Sequence, residues 1–393
     1  MPFHKIINDP VYGFITIDDE LINDIIAHPY YQRLRRIYQM AMAHLVYPGA
    51  VHTRLHHSLG AYHLMRCALQ ELTSKGIEIT PDEQQAAKIA ILLHDIGHGP
   101  FSHALEHVLV EGMQHEELSL MLIKELNRQF GGKLQMALEI FTDTYPKKFL
   151  HQLVSGQLDV DRMDYLSRDS FFTGVNEGTI AYDRILKMLT VHNGELMVEE
   201  KGIYSIEKFL VARRLMYWQV YLHKTVLSAE QMLIRIIKRA KLIKAQCQEP
   251  LNSFINQPIH TVTLEQFCSI DDYDVLMAIK KWSSNEDIVL STLCRGILDR
   301  HLLKVKYFKD AVSKEMLDEK VSAISQQLNI SAADAQWLAF IGEAASSTYN
   351  FENEHIYILF KDGSIKDISE VDNALINENL RGTVKKYYIC YLR

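Results

Sequence analysis

Cysteine is scarce: Cys67, Cys247, Cys268, Cys294 and Cys390 are the five in 393 residues, and no two form a CxxC pair. That scatter argues against a disulfide scaffold or a zinc ribbon and fits the reduced thiols of a cytosolic protein. No apolar run reaches the ~18 residues of a membrane-spanning helix. The first residues, Met-Pro-Phe-His-Lys-Ile-Ile-Asn-Asp, lack an apolar signal core, so a soluble, cytoplasmic protein is expected. Positive charge is in deficit, with a formal net charge of −7 and no basic run. A general nucleic-acid binder therefore finds little support, and an anionic substrate would need local charge from a metal or clustered arginines. There is neither a P-loop nor a GxGxxG, so a bound nucleotide would have to be held by side chains. No internal repeat or low-complexity segment is visible.

What the chain has is a large apolar fraction, 48%, with 23% charged residues. That is enough for a substantial core, in two or three units or one large unit with an appendage. It also has histidine in one place: ten of the 18 lie between His44 and His115.

Local signals predict a hairpin over residues 1–17, then a helix capped by Asp18 or Asp19 that runs through Ile26 to the interruption at Pro29. A second helix is expected over Tyr30–Met40, with Arg33, Arg35 and Arg36 reading as a solvated face. A loop over Val46–Arg54 leads into a helix over Leu55–Ser74 ended by Gly76. Thr80-Pro81-Asp82-Glu83 is a capping box with proline in the first turn, and the helix it opens is apolar nearly all round. Helices follow over Phe101–Val110 and His115–Phe130, a charged helix starts near Asp161, and Asn193-Gly194 marks a type I′ hairpin. A long helix is expected over Ile206–Lys244. After Pro250, helices near Leu264–Cys268, Tyr273–Trp282, Asp287–Leu298, Lys314–Leu328 and Ala332–Ala345 alternate with strand-like runs at His301–Phe308, His355–Phe360, Ser364–Ile368 and Val384–Leu392. The expected division is a core over 1–248 and a smaller α+β module over 249–393.

The chemistry concentrates at His94-Asp95-Ile-Gly-His98-Gly-Pro-Phe-Ser-His103. A His-Asp pair ends a buried helix, and buried imidazole and carboxylate need a partner. His57 near the start of one helix and Asp161 near the start of another complete a set of two imidazoles and two carboxylates. Such a mixed N/O site suits divalent Fe, Mn, Zn, Ni or Mg, with coordination positions left open. The bland alternative is a group of hydrogen-bonded core histidines and surface acids.

His98 lies one turn beyond His94. His103 is followed one turn on by Glu106, and His115-Glu116 opens another helix; an imidazole here could act as general acid, oriented by Glu106. Each alone fits a structural role equally well, and His107 reads as structural. Arg54, Arg162 and Arg213 could grip a polyphosphate, and Tyr165, Tyr217 and Tyr221 could present flat faces to a sugar or base. The i, i+4 spacing of the last two fits a core stripe as well.

These motifs, in this order from Arg54-Leu-His-His57 through Asp159-Val-Asp161-Arg-Met-Asp-Tyr165-Leu-Ser-Arg168-Asp169, resemble the HD-domain phosphohydrolases. The similarity is greatest to their deoxynucleoside triphosphate triphosphohydrolase branch and extends from Asn8 to about residue 245. The resemblance implies a mainly α HD-domain core with short β-hairpins. It also implies one divalent transition metal (Fe, Mn, Zn or Ni) on His57, His94, Asp95 and Asp161, with additional Mg left open. It places His98, His103 and His115 at the reacting phosphate, with Glu106 orienting and His103 as leaving-group acid. Arg54, Arg162, Tyr165, Asp169, Arg213, Tyr217, Tyr221 and Gln39 fall at the nucleotide. Gln39 and Asp169 match readers of the 3′-hydroxyl, and Tyr221 matches the ring that crowds out a 2′-hydroxyl.

Arg162 stands where a lysine is usual, Tyr217 where a histidine is usual, and Ala27 where the regulated vertebrate enzyme has a guanine-reading acid. Lys5, Asn8 and Arg35 match other parts of that activator site. The implied reaction converts a dNTP to deoxynucleoside and triphosphate by attack of metal-activated water on the α-phosphorus, in a homodimer or homotetramer. The alternatives are another nucleotide phosphohydrolase on the same site and a nucleotide sensor with a vestigial one.

Overall fold

The computed structural model describes residues 3–110, 112–257, 262–346, 355–371 and 384–393. Strands β1 (Lys5–Asp9) and β2 (Gly13–Ile17) pair antiparallel with Lys5 opposite Ile17. Asp19 caps helix α1 (Glu20–Ala27), its carboxylate accepting from the Ile22 N–H. Helix α2 (Arg54–Ser74) stops before Gly76, at φ +84°. Helix α3 (Pro81–Leu93) opens at Thr80, whose N–H donates to Glu83 while its hydroxyl accepts from the Glu83 N–H. Ala86, Ala87, Ile89, Ala90, Ile91, Leu92 and Leu93 are all buried, so α3 is central, as its apolar composition predicts. Helices α4 (His115–Gln129) and α5 (Val160–Thr173) follow, the latter capped by Asp159 on the Arg162 N–H at 2.7 Å.

The contact that positions the site is α2 against α5. It is close because Gly60 has no side chain: a Cβ there would meet Asp164 Oδ1 at 2.0 Å and Arg168 Nη2 at 2.2 Å. The vacated space admits the fully buried Asp164–Arg168 pair, and Arg168 reaches on to Asp9 at 2.8 Å. His57, one turn before Gly60, thereby meets Asp161, one turn before Asp164.

Strands β3 (Leu189–His192) and β4 (Glu195–Glu199) form the expected hairpin, with Asn193 and Gly194 at φ +52° and +81°. Helices α6 (Ile203–Met216), α7 (Lys224–Ile243), α8 (Asp272–Trp282), α9 (Ile288–Leu298) and α10 (Lys314–Leu328) follow. Among them run β5 (Lys304–Phe308), β6 (Ala339–Ser346), β7 (Tyr357–Leu359), β8 (Ile365–Asp367) and β9 (Val384–Tyr391). The strand orders are β3-β4-β7-β8, with β4 and β7 parallel, and β5-β9-β6. The later strands thus extend the earlier hairpin, and α7 packs on α9 and β5. Among the described residues, no helix is long and apolar enough to cross a membrane.

Four predicted helices are corrected. Tyr30–Met40 is helical only to Arg36; Ile37 turns extended because Tyr38 bridges to Thr53, and the Gln39 N–H donates to His52 O at 3.0 Å. Arg33 there is not solvated but buried, donating to the carbonyls of Ile96 and His98 at 2.9 and 2.8 Å. Phe101–Val110 holds one tight turn at Ser102–Ala104 and one helical turn at Glu106–Leu109. Phe101 and Ser102 sit at φ +54° and +53°, fixed by Asp272, which accepts the Phe101 N–H at 2.7 Å, and by Ser102 Oγ donating to Tyr38 O.

Ile206–Lys244 breaks at a wide turn over Tyr217–Tyr221 before α7 begins. The freed carbonyls of Gln219 and Leu222 accept from the hydroxyls of Tyr47 and Tyr307. Ala332–Ala345 is one helical turn, Ala332–Ala335, followed by β6, where pairing with β9 overrides the helical propensity of alanine.

Gly60→Ala is expected to lower unfolding stability by about 3 kcal/mol, through overpacking and loss of the buried pair. Urea denaturation measures it; an unchanged midpoint would rule out this helix contact.

Candidate active site

α2, α3 and α5 end around one point. His57 Nε2 lies 3.0 Å from Asp161 Oδ1, 3.3 Å from His94 Nε2 and 3.5 Å from Asp95 Oδ2. His94 Nε2 lies 3.4 Å from Asp95 Oδ1 and 3.5 Å from Asp161 Oδ1. Donor atoms about 2.0–2.2 Å from a shared cation stand roughly this far apart.

The far sides of the rings fix the tautomers. His57 Nδ1 faces the Asp164 carboxylate at 2.8 Å, and His94 Nδ1 faces the carbonyl of Ile91 at 2.6 Å. Each Nδ1 therefore carries a proton, and in the neutral rings two Nε2 lone pairs would face each other among two carboxylates. Burial works against protonating His57, but hydrogen bonds to Asp161 and Asp164 raise its pKa to about 10. The cluster demands positive charge, and its N/O donor set fits a divalent metal.

The Gly97–His103 turn is pinned from several sides. Arg33 holds the carbonyls of Ile96, just before it, and of His98 within it, and the Gly97 N–H donates to Ser119 Oγ, which itself donates to His94 O. Gly97 is required: a Cβ would meet His115 O and Ser119 N at 2.3 Å. Beyond the turn three imidazoles gather. His98 stacks on His115 at 3.9 Å between centroids, and His103 stands edge-on to both.

Glu106 orients two of the three. One oxygen accepts from His103 Nδ1 at 3.0 Å; the other accepts from the N–H and Nδ1 of His115 at 2.7 and 2.6 Å. Against the effect of burial, these bonds hold its carboxyl well below the usual range. Burial and the Arg54 charge push the His98 pKa well down, so His98 is neutral. With Nδ1 of His103 bound to Glu106, its Nε2 is the atom free to exchange a proton.

These groups open on a cavity of about 660 Å³. Arg54 pairs with Asp95 and donates to Ser102 Oγ at 2.9 Å. Arg162 reaches Asp159 at 3.2 Å and neighbours Tyr165 and Tyr217. Along the wall, Asp169 accepts from the Tyr221 hydroxyl at 2.7 Å and pairs with buried His52 at 2.7 Å. Gln39 also lines the cavity, and its buried Oε1 has no partner among the described residues.

The HD domain family matches residues 54–169, and the HD associated region matches residues 180–335. The uncharacterized protein YwfO of Bacillus subtilis is 32% identical over 96% of this chain and 89% of its own length. A phosphohydrolase of Bacteroides thetaiotaomicron, known from its crystal structure, is 49% identical, with 100% of both chains covered and a TM-score of 0.96. The chain belongs to the HD-domain phosphohydrolases. The deoxynucleoside triphosphate triphosphohydrolase SAMHD1 of Homo sapiens is 31% identical over 56% of this chain and 42% of its own. HD domains hold divalent metals through His and Asp, and His57, His94 and Asp161 are the candidate ligands here.

Within this HD site, the four metal candidates converge, with His98, His103, Glu106 and His115 adjacent. Gln39, Arg54, Arg162, Tyr165, Asp169, Tyr217 and Tyr221 share the cavity wall. Arg213 is not among the residues lining it: buried beneath, its Nη1 donates to Gln157 at 3.0 Å. Sequence reading missed Asp164, although its place one turn after Asp161 was a usable signal. It also missed His52, Arg33 and Asp272, whose partners are distant in sequence, and the cavity-lining Glu230 and Gln231.

Asp164 orients His57 from behind. Asp164→Asn is expected to weaken divalent-metal affinity roughly 10–100-fold, by calorimetric titration, while the far-UV circular dichroism stays helical. Unchanged affinity would remove Asp164 from the site.

Proposed function

We propose that this HD phosphohydrolase hydrolyses deoxynucleoside triphosphates to deoxynucleoside and inorganic triphosphate. The observation that carries the reading is the Tyr221–Asp169 contact on the cavity wall, with Gln39 and the cluster carboxylates Asp95 and Asp161 lining the same cavity. By the family resemblance, Gln39 and Asp169 stand where the 3′-hydroxyl is read, and Tyr221 stands where a ring crowds a 2′-hydroxyl. The likeness to proteins named deoxynucleoside triphosphate triphosphohydrolase, in Homo sapiens, Gallus gallus and Dictyostelium discoideum, supports the same substrate class.

His57, His94, Asp95 and Asp161 would hold the metal, which supplies Lewis acidity for the attacking water and a phosphoryl oxygen when bound. Arg54 and Arg162 neutralise the phosphate chain. Tyr165 and Tyr217 frame it, and Arg213 contributes charge from behind the wall. Water oxygen bonds to the α-phosphorus as the bond to the 5′-oxygen breaks. His103 gives its Nε2 proton to that oxygen, while Glu106 stabilises the imidazolium and fixes the ring. The products are a neutral deoxynucleoside and triphosphate. Assembly as a homodimer or homotetramer belongs to the same reading.

Purified protein incubated with each dNTP and NTP and with Mg, Mn, Fe or Ni is expected to release triphosphate in one piece from dNTPs. Release of orthophosphate or pyrophosphate would replace this reading with a nucleotidase or a pyrophosphohydrolase. His94→Ala and Asp95→Ala should lose metal and turnover while remaining folded. His103→Gln should lower kcat by roughly 10²–10⁴-fold with KM little changed; an unchanged kcat would remove it as the acid.

A further inference from the structure

The α7 wall of the cavity carries two polar groups that hydrolysis does not use. Glu230 and Gln231 line it between the apolar Val226 and Ile234. Among the described residues neither side chain makes a hydrogen bond or ion pair. The nearby Tyr307 hydroxyl is committed to the carbonyl of Leu222. Burial alone lifts the Glu230 carboxyl to about 7. A half-buried carboxyl that faces a cavity without a protein partner points to a ligand group that can pair with it.

Its charge says which part of the ligand. Glu230 lies about 9 Å along α7 from its start at Lys224. Arg162, which meets the phosphate chain in this reading, has Asp159, Asp161, Tyr165 and Tyr217 for neighbours. A carboxylate beside the phosphate chain would repel it. A stretch of wall with Val226 and Ile234 around two polar groups suits a nucleobase.

Resting on the dNTP reading above, we propose that Glu230, with Gln231 on the adjoining wall, reads the base and favours an edge with two N–H donors, as guanine presents. An ionised carboxylate only accepts, and its two oxygens match guanine N1–H and N2–H. Adenine would set its N1 lone pair against one of those oxygens. Thymine offers one N–H between two carbonyls. Glu230→Gln keeps the shape but turns one acceptor into a donor, which opposes guanine and suits adenine.

The test compares dGTP with dATP, bases of equal size, at about pH 8, where a group with a pKa near 7 is mostly ionised. Both kcat/KM and equilibrium binding of non-hydrolysable analogues are measured for wild type, Glu230→Gln and Glu230→Leu. The guanine-to-adenine ratio is expected to fall about tenfold or more in both variants, with adenine-nucleotide binding retained. An unchanged ratio in folded variants overturns the assignment of Glu230. If the wild type cleaves no dNTP, the proposed reaction falls, and the binding ratios still decide the role of Glu230.

Discussion

A single buried carboxylate, that of Asp164, ties the framework of the site together. It accepts a hydrogen bond from Nδ1 of His57 on α2 and grips Arg168 on its own helix, and Arg168 extends the chain to Asp9 at the end of β1. All four groups are buried, and breaking such a network costs on the order of 3–5 kcal/mol. The network therefore sets the separation of α2 and α5, and through it the 3.0 Å between His57 and Asp161. The stability of the helix pair and the competence of the donor cluster are one quantity seen from two sides.

The Gly97–His103 turn depends on a second set of constraints, and none is local. Arg33 and Asp272 arrive from segments far apart in the chain, one holding carbonyls and the other an N–H. Asp272 begins α8, so a residue beyond the HD domain match fixes the loop that carries His103. Burial lifts its carboxyl to about 7, even though two backbone N–H bonds favour its charged form. The later segments are thus tied to the reacting end of the cavity through backbone hydrogen bonds.

That difference decides what could be read in the sequence. Caps and turns that depend on a few adjacent residues were legible: Asp19, Thr80 with Glu83, Asn193-Gly194 and Gly76 each sit where their side-chain chemistry predicts. The four metal candidates were legible because imidazoles and carboxylates at buried helix ends are costly without a cation to share. The Tyr30–Met40 and Phe101–Val110 stretches were not, because the bridge of Tyr38 to Thr53 and the acceptance of the Phe101 N–H by Asp272 override helical propensity from a distance. Arg33 read as a surface residue for the same reason: its partners are backbone carbonyls, which leave no mark in the sequence.

The break of the long helix at Tyr217–Tyr221 shows the same logic used for function. A continuous helix would carry Tyr217 and Tyr221 one above the other on a single stripe. The wide turn instead presents both to the cavity with rings 5.2 Å apart and nearly perpendicular, and Tyr221 reaches Asp169. The backbone groups it frees are satisfied by two tyrosine hydroxyls from other elements, so the distortion leaves those carbonyls paired. The donor cluster depends on residue types at helix ends, whereas the shape of the cavity wall depends on where one helix yields. The donor cluster and the cavity wall therefore lie in different parts of the chain, and substitutions along α7 can reshape the wall without touching the four metal candidates.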